Sequence, residues 1–192
     1  MLIDGALHRG GCTEREIADV AAGRRAGAPL LRRALAYADG RSESPWESML
    51  RMLHVACDVP VEPQHRVFDS YGRFVARGDL WIKGTRVLHE YDGGEHLKRP
   101  QQRSDLRRGR DLANIGWVRR GYTSQDVLHQ AVSILRDADM SLGRPHRPER
   151  VRAWHALLAD SLFTPRGMAR LQHRLGLQAA RKSGHELRSG EA

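Results

Sequence analysis

The chain has 192 residues, 40% of them hydrophobic, and a net charge of +9. That length suits one well-cored domain with extensions, since domains run about 100 to 150 residues. No apolar run approaches the ~20 residues of a membrane helix, and the N-terminus has no basic-then-apolar signal pattern, so the expectation is a cytoplasmic protein, not a membrane one, with a polyanionic partner.

The basic excess is uneven. Residues 144–192 hold ten Lys+Arg against four Asp+Glu, +6, which leaves +3 for residues 1–143. Lysine occurs only at Lys83, Lys98 and Lys182, so the positive side is almost wholly arginine. Arginine suits phosphate binding and follows equally from a GC-rich genome. Cys12 and Cys57 have no metal-ligand spacing and read as reduced thiols without a function.

In chain order, Thr13 and Glu16 form a capping-box pair for a short helix carrying Ile17 and Val20 and stopped by Gly23. Ala28–Ala38 carries Leu30, Leu31, Ala34 and Leu35 on one helical face. Ser44-Pro45-Trp46-Glu47 supplies an N-cap, a first-position proline and a third-position glutamate, the clearest helix start in the chain. From Gln64 the pattern turns extended, with Arg66–Phe68, Arg73–Ile82 and Arg86–Tyr91 joined by turns at Asp69–Gly72 and Lys83–Thr85. A polar stretch leads to a helix over 100–115 with Leu106 and Leu112 inward. A strand at Trp117–Tyr122 and a helix from Thr123 or Ser124 to about Asp139 follow. The predicted order is α-β-β-β-α-β-α, an α+β core over 43–140 with a mixed sheet, flanked by a helical extension (1–42) and a basic helical extension (141–192) with a polar end expected to be disordered. In the latter, Val151, Trp154, Leu157 and Leu158 form an apolar stripe that packs on the core or forms a homodimer or protein contact. A second helix begins at Thr164-Pro165.

Asp79 lies among apolar neighbours near the end of the second strand, and Glu90 lies on the next. Residues symmetric about a tight hairpin turn face each other, and the centre of this pair falls at Gly84-Thr85. Two carboxylates placed that close repel unless a cation lies between them. Mg²⁺ (or Mn²⁺) commonly takes one or two protein carboxylates and leaves its other positions to water and phosphate oxygens, as phosphodiester hydrolysis requires.

Five stretches in order resemble the PD-(D/E)XK restriction-endonuclease-like nucleases, and more closely the bacterial branch related to very-short-patch mismatch repair endonucleases: Ser44-Pro45-Trp46-Glu47-Ser48, Gly78-Asp79-Leu80, His89-Glu90-Tyr91-Asp92-Gly93 with His96 beyond, Ser104-Asp105-Leu106-Arg107-Arg108, and Gly116-Trp117-Val118. The resemblance spans about residues 44–128. It implies a Mg²⁺-dependent endodeoxyribonuclease with Glu47 as an acid from the first core helix, Asp79 and Glu90 as metal ligands and Tyr91 lending a main-chain carbonyl. The family's lysine, two residues after the glutamate, is Asp92 here, a further candidate ligand on the same side. The lysine's task of orienting the attacking water then falls to His96, with Lys98 as the alternative. Arg103, Arg107 and Arg108 on the following helix are candidates for phosphate contact, against a solvated face paired with Asp105 and Asp111. For Glu47, helix capping alone is the competing reading. The missing lysine keeps open a second function, a catalytically inactive module binding nucleic acid or serving a toxin–antitoxin-type system.

Overall fold

Ser44 Oγ accepts the Glu47 N–H at 3.1 Å and Pro45 takes the first helical position, which starts α4 (Pro45–Ala56). This computed structural model describes residues 1–93, 99–159 and 161–174, with the backbone alone for 99–103. After α4 come β1 (Val61–Phe68), β2 (Phe74–Ile82), β3 (Val87–Tyr91), α5 (Arg99–Asn114), β4 (Val118–Tyr122), α6 (Ser124–His129) and α7 (Ala131–Ser141). The sheet order is β1-β2-β3-β4. The first two pairings are antiparallel and β3–β4 is parallel, so α5 is the crossover that a parallel pair needs. The α+β class, the mixed sheet and the element order are as the sequence predicts.

Alternation along β3 separates the two faces of the sheet. Leu88 and Glu90 point to the α5 side, where Leu88 joins Val67, Ala76 and Leu112 in a buried cluster and Glu90 meets Arg108. His89 and Tyr91 point to the α4 side, where His89 is hydrogen-bonded to His54 at 2.9 Å and Tyr91 stacks on Trp46 at 5.7 Å between centroids. Along β2 the alternation is not strict. Ala76 and Trp81 both pack against the Leu88 cluster although an odd number of positions separates them. Gln64 and Asp79 are left out of the β1–β2 pairing, which otherwise keeps one register from Val61↔Ile82 to Val67↔Ala76 and shifts between Val67 and Phe68. Gln64 has φ +54°, a left-handed conformation that costs a side-chain-bearing residue about 1–2 kcal/mol.

Two expectations are corrected. Leu106 is 69% exposed; α5 turns Arg108 to the sheet and Leu112, one turn on, into the core, which sets Leu106 on the opposite side. The single helix expected up to Asp139 is two, because Gln130 leaves helical geometry at φ −118°, ψ 28°. The buried spacing Val127, Ala131, Ile134, Leu135, Ala138 runs through the break, so apolar periodicity gave no sign of it. A helix without a sequence signal, α1 (Leu2–His8), precedes α2 (Glu14–Ala22) and α3 (Ala28–Leu35). It is tied to α4 by Asp4, which accepts from Arg51 Nη2 at 3.1 Å with both side chains buried.

The described residues up to 154 form one compact unit, and those from 155 on belong to a second. The first thus includes the N-terminal helices and the segment to Trp154. Fully buried Asp139 on α7 accepts from Arg144 at 2.8 Å, His146 at 3.0 Å and Arg150, and Val151 and Trp154 at the start of α8 (Val151–Ala159) are buried. That half of the apolar stripe is used within the unit. Asp139→Ala would leave arginines against an empty acceptor and should cost about 3 kcal/mol in urea denaturation; a loss under about 0.5 kcal/mol would mean that the cluster is solvated. In the second unit, Thr164 Oγ1 caps α9 (Pro165–Arg174) by accepting the Gly167 N–H at 3.1 Å. The polar end expected to be disordered lies outside the described residues. Among the described residues no helix is long and apolar enough to cross a membrane.

Candidate active site

Strands β2 and β3 pair through Trp81↔Leu88 and Leu80↔His89, and one further step of this register sets Asp79 opposite Glu90. The backbone ladder stops short of that step. Asp79 Oδ2 instead accepts the Tyr91 N–H at 2.9 Å, a carboxylate standing where a strand carbonyl would. Burial pushes the Asp79 carboxyl up to about 6; the Tyr91 N–H and Arg108 work against the shift, and the nearby carboxylates of Glu47 and Glu90 add to it. Asp79 on β2 therefore lies in the field of two further acids, Glu47 of α4 and Glu90 of β3.

Glu47 serves two purposes. Its own N–H completes the Ser44 cap, and its carboxylate accepts from the Glu43 N–H at 2.9 Å and Gln64 Nε2 at 2.8 Å. The amide of Gln64 is oriented by this bond, since turning it round would set oxygen against carboxylate. Its Oε1 then lies buried without a hydrogen-bond partner.

Glu90 is 2% exposed and is held by two arginines, Arg108 from α5 and Arg119 from β4. Arg108 Nη2 also donates to the Arg77 carbonyl at 2.6 Å, and so does not pair with Asp105 or Asp111 as a solvated helix face would. Arg119 bridges onward, from Glu90 to Asp92 Oδ1 at 2.9 Å. Gly121 makes room for this: a Cβ there would lie 1.7 Å from Asp92 Oδ2. Asp92, the residue at the position of the family's lysine, is thus an exposed acid laid over Gly121 and paired with an arginine.

Of the remaining candidates, Arg107 is exposed on α5. His96 and Lys98 lie outside the described residues, as does the side chain of Arg103. Two residues were missed by the sequence reading. Arg119 could have been found from the alternation of β4, since an arginine two positions before Gly121 shares its face; Gln64 carried no signal.

The donor chemistry suits Mg²⁺ or Mn²⁺. Asp79, Glu90 and the Tyr91 carbonyl are hard oxygens. Among the described residues no three His, Cys, Asp or Glu side chains form a ready-made cage.

No family model matches the chain, and no solved structure matches it. Uncharacterized proteins from two strains of Mycobacterium tuberculosis are 30% identical to it over 120 residues, which is 60% of this chain and 44% of each relative. The chain thus spans less than half the length of these relatives.

Proposed function

We propose that the chain is a metal-dependent endonuclease that hydrolyses DNA phosphodiester bonds, of the PD-(D/E)XK type that its five stretches resemble. The observation that carries this reading is Asp79: a partly buried carboxylate at a break in the ladder, beside two further acids, held at a proton affinity far above that of an ordinary aspartate. Such a group is costly to keep unless a cation uses it. A bound divalent ion would supply Lewis acidity toward the scissile phosphate and a nucleophilic water at neutral pH.

The chain's own residues do the rest. Asp79 and Glu90 hold the ion with the Tyr91 carbonyl, and Tyr91 is fixed by its stack on Trp46. Glu47 adds negative charge from the α4 side, and its anchoring by Gln64 fixes its direction. Arg107 and Arg108 on α5 meet phosphate oxygens. Orientation of the attacking water belongs to His96, whose imidazole accepts a proton near neutrality, with Lys98 as the alternative.

The test is nicking of supercoiled plasmid by purified protein with Mg²⁺, Mn²⁺ or EDTA. Metal-dependent nicking that disappears with EDTA is the expected result. The second reading, an inactive nucleic-acid-binding module, is favoured by the double arginine lock on Glu90. Duplex binding with no nicking under either metal would establish it in place of the enzyme.

A further inference from the structure

Glu90 poses a difficulty for the nuclease reading on which this section rests. A carboxylate whose two oxygens are each bound by an arginine has little left for a metal ion: Oε1 is taken by Arg108 Nη2, and Oε2 by Arg119 Nε. Both arginines reach solvent, their side chains 29% and 27% exposed, while Glu90 itself is 3% exposed. Each has a second anchor that keeps it in place if Glu90 lets go, the Arg77 carbonyl for Arg108 and Asp92 for Arg119. Guanidinium groups bind carboxylates and phosphodiesters with the same forked donors. Metal and arginines therefore compete for Glu90, and phosphate and Glu90 compete for the arginines.

We propose that Arg108 and Arg119 are a paired phosphate clamp that Glu90 holds closed, and that a divalent cation taking the Glu90 carboxylate releases both guanidinium groups to bind the phosphodiester backbone. Arg119 thereby becomes a substrate-binding residue alongside Arg108. Charge is conserved through the exchange: the cation replaces the arginines at Glu90, and the phosphates replace Glu90 at the arginines. Metal and nucleic acid then bind with positive coupling, each strengthening the other by the same factor. Asp92 sets the position of Arg119 in the closed state, and Gly121 allows it to.

The experiment measures binding of a short DNA duplex by anisotropy, across a salt series, with Ca²⁺ or with EDTA. Ca²⁺ takes the same oxygen donors, and the readout is binding, not cleavage. For the wild type, Ca²⁺ should tighten binding about 10-fold, and the slope of log K against log salt should steepen by about 1.8, as two added phosphate contacts require. Glu90→Gln should show the steep slope in EDTA and gain nothing from Ca²⁺. Asp92→Asn, a change at an exposed side chain that leaves Arg119 held by the buried Glu90, should keep the shallow slope in EDTA. Arg108→Gln/Arg119→Gln should bind weakly and without response to Ca²⁺. Glu14→Gln, an equal change of charge on α2, controls for net charge. If Glu90→Gln binds like Glu14→Gln, or if the wild type binds Ca²⁺ by calorimetry with no change in its duplex affinity, the clamp is refuted and the nuclease reading stands. A wild type that binds neither cation nor duplex refutes both.

Discussion

Asp79→Asn should abolish metal-dependent cleavage and at the same time stabilise the protein at neutral pH. The first effect follows from removing a ligand charge; a loss of about 10³-fold corresponds to ~4 kcal/mol of transition-state stabilisation. The second follows from the carboxyl's shift to about 6 in the folded chain, from 3.8 in the ordinary state. A carboxyl with a raised folded-state pKa binds its proton more tightly when folded. Its contribution is favourable below pH ~4 and is lost as pH rises through about 6. At pH 8 the native state carries that penalty, about 2 kcal/mol after allowance for partial exposure. Asparagine keeps an oxygen for the Tyr91 N–H and removes the charge. The variant should therefore melt several degrees higher than wild type at pH 8, with the gain gone at pH 4. Glu90→Gln should do the reverse and lower stability, because it strips two arginines of their shared partner. A variant at Asp79 that nicks plasmid at the wild-type rate would remove the residue from the site. One that is inactive and no more stable at pH 8 would show that solvent already neutralises the carboxylate.

What could be read in advance was what local rules decide. Ser44, Pro45 and Glu47 mark a helix start by chemistry confined to four residues, and a tight turn at Gly84-Thr85 sets the register of Asp79 and Glu90 without reference to the rest of the chain. The order of elements follows from the change of apolar period. What stayed hidden depends on residues distant in sequence. Gln64 breaks the ladder through its own backbone angle, and nothing in Pro63-Gln64-His65 marks a left-handed residue where glycine or asparagine would be usual. The partners of Glu90 come from α5 and β4, and a helix arginine is indistinguishable from a solvated one until its face is known. His89 sits inside the stretch that carries the nuclease resemblance, next to Glu90. Alternation alone would have placed it on the other side of the sheet from Glu90, and it is there that it has its own chemistry.

His54 and His89 should make the fold acid-labile. Both are fully buried, and their protons can be assigned from their partners. The Leu50 carbonyl, 2.7 Å from His54 Nδ1, can only accept, so Nδ1 carries the proton and Nε2 is the acceptor. His89 Nδ1 must then donate across the 2.9 Å to His54, which leaves His89 Nε2 as an acceptor facing the Tyr122 hydroxyl at 3.4 Å. That hydroxyl donates to Asp137 at 2.9 Å, and Asp137 is also paired with Arg120. With both imidazoles neutral the pair is joined by one hydrogen bond, and His89 Nε2 receives none from Tyr122, whose one proton goes to Asp137. Burial lowers His54 to about 4. Burial, His54 and Arg120 together hold His89 well below its ordinary value. Histidines with depressed folded-state pKa values leave stability intact above ~6.5 and remove it as pH falls toward 4, because the unfolded chain takes up protons that the native one refuses. For His54 alone this amounts to roughly 3 kcal/mol, and His89 adds to it. Asp79 acts with the opposite sign over part of the same range, so the measurement belongs in the Asp79→Asn background. Urea midpoints at pH 7.5 and 4.5 should fall steeply there, and His54→Gln should flatten the pH dependence whatever its absolute stability. If the flattening is absent, the pair is not neutral in the native state, and protons reach it through the Tyr122–Asp137 side of the chain.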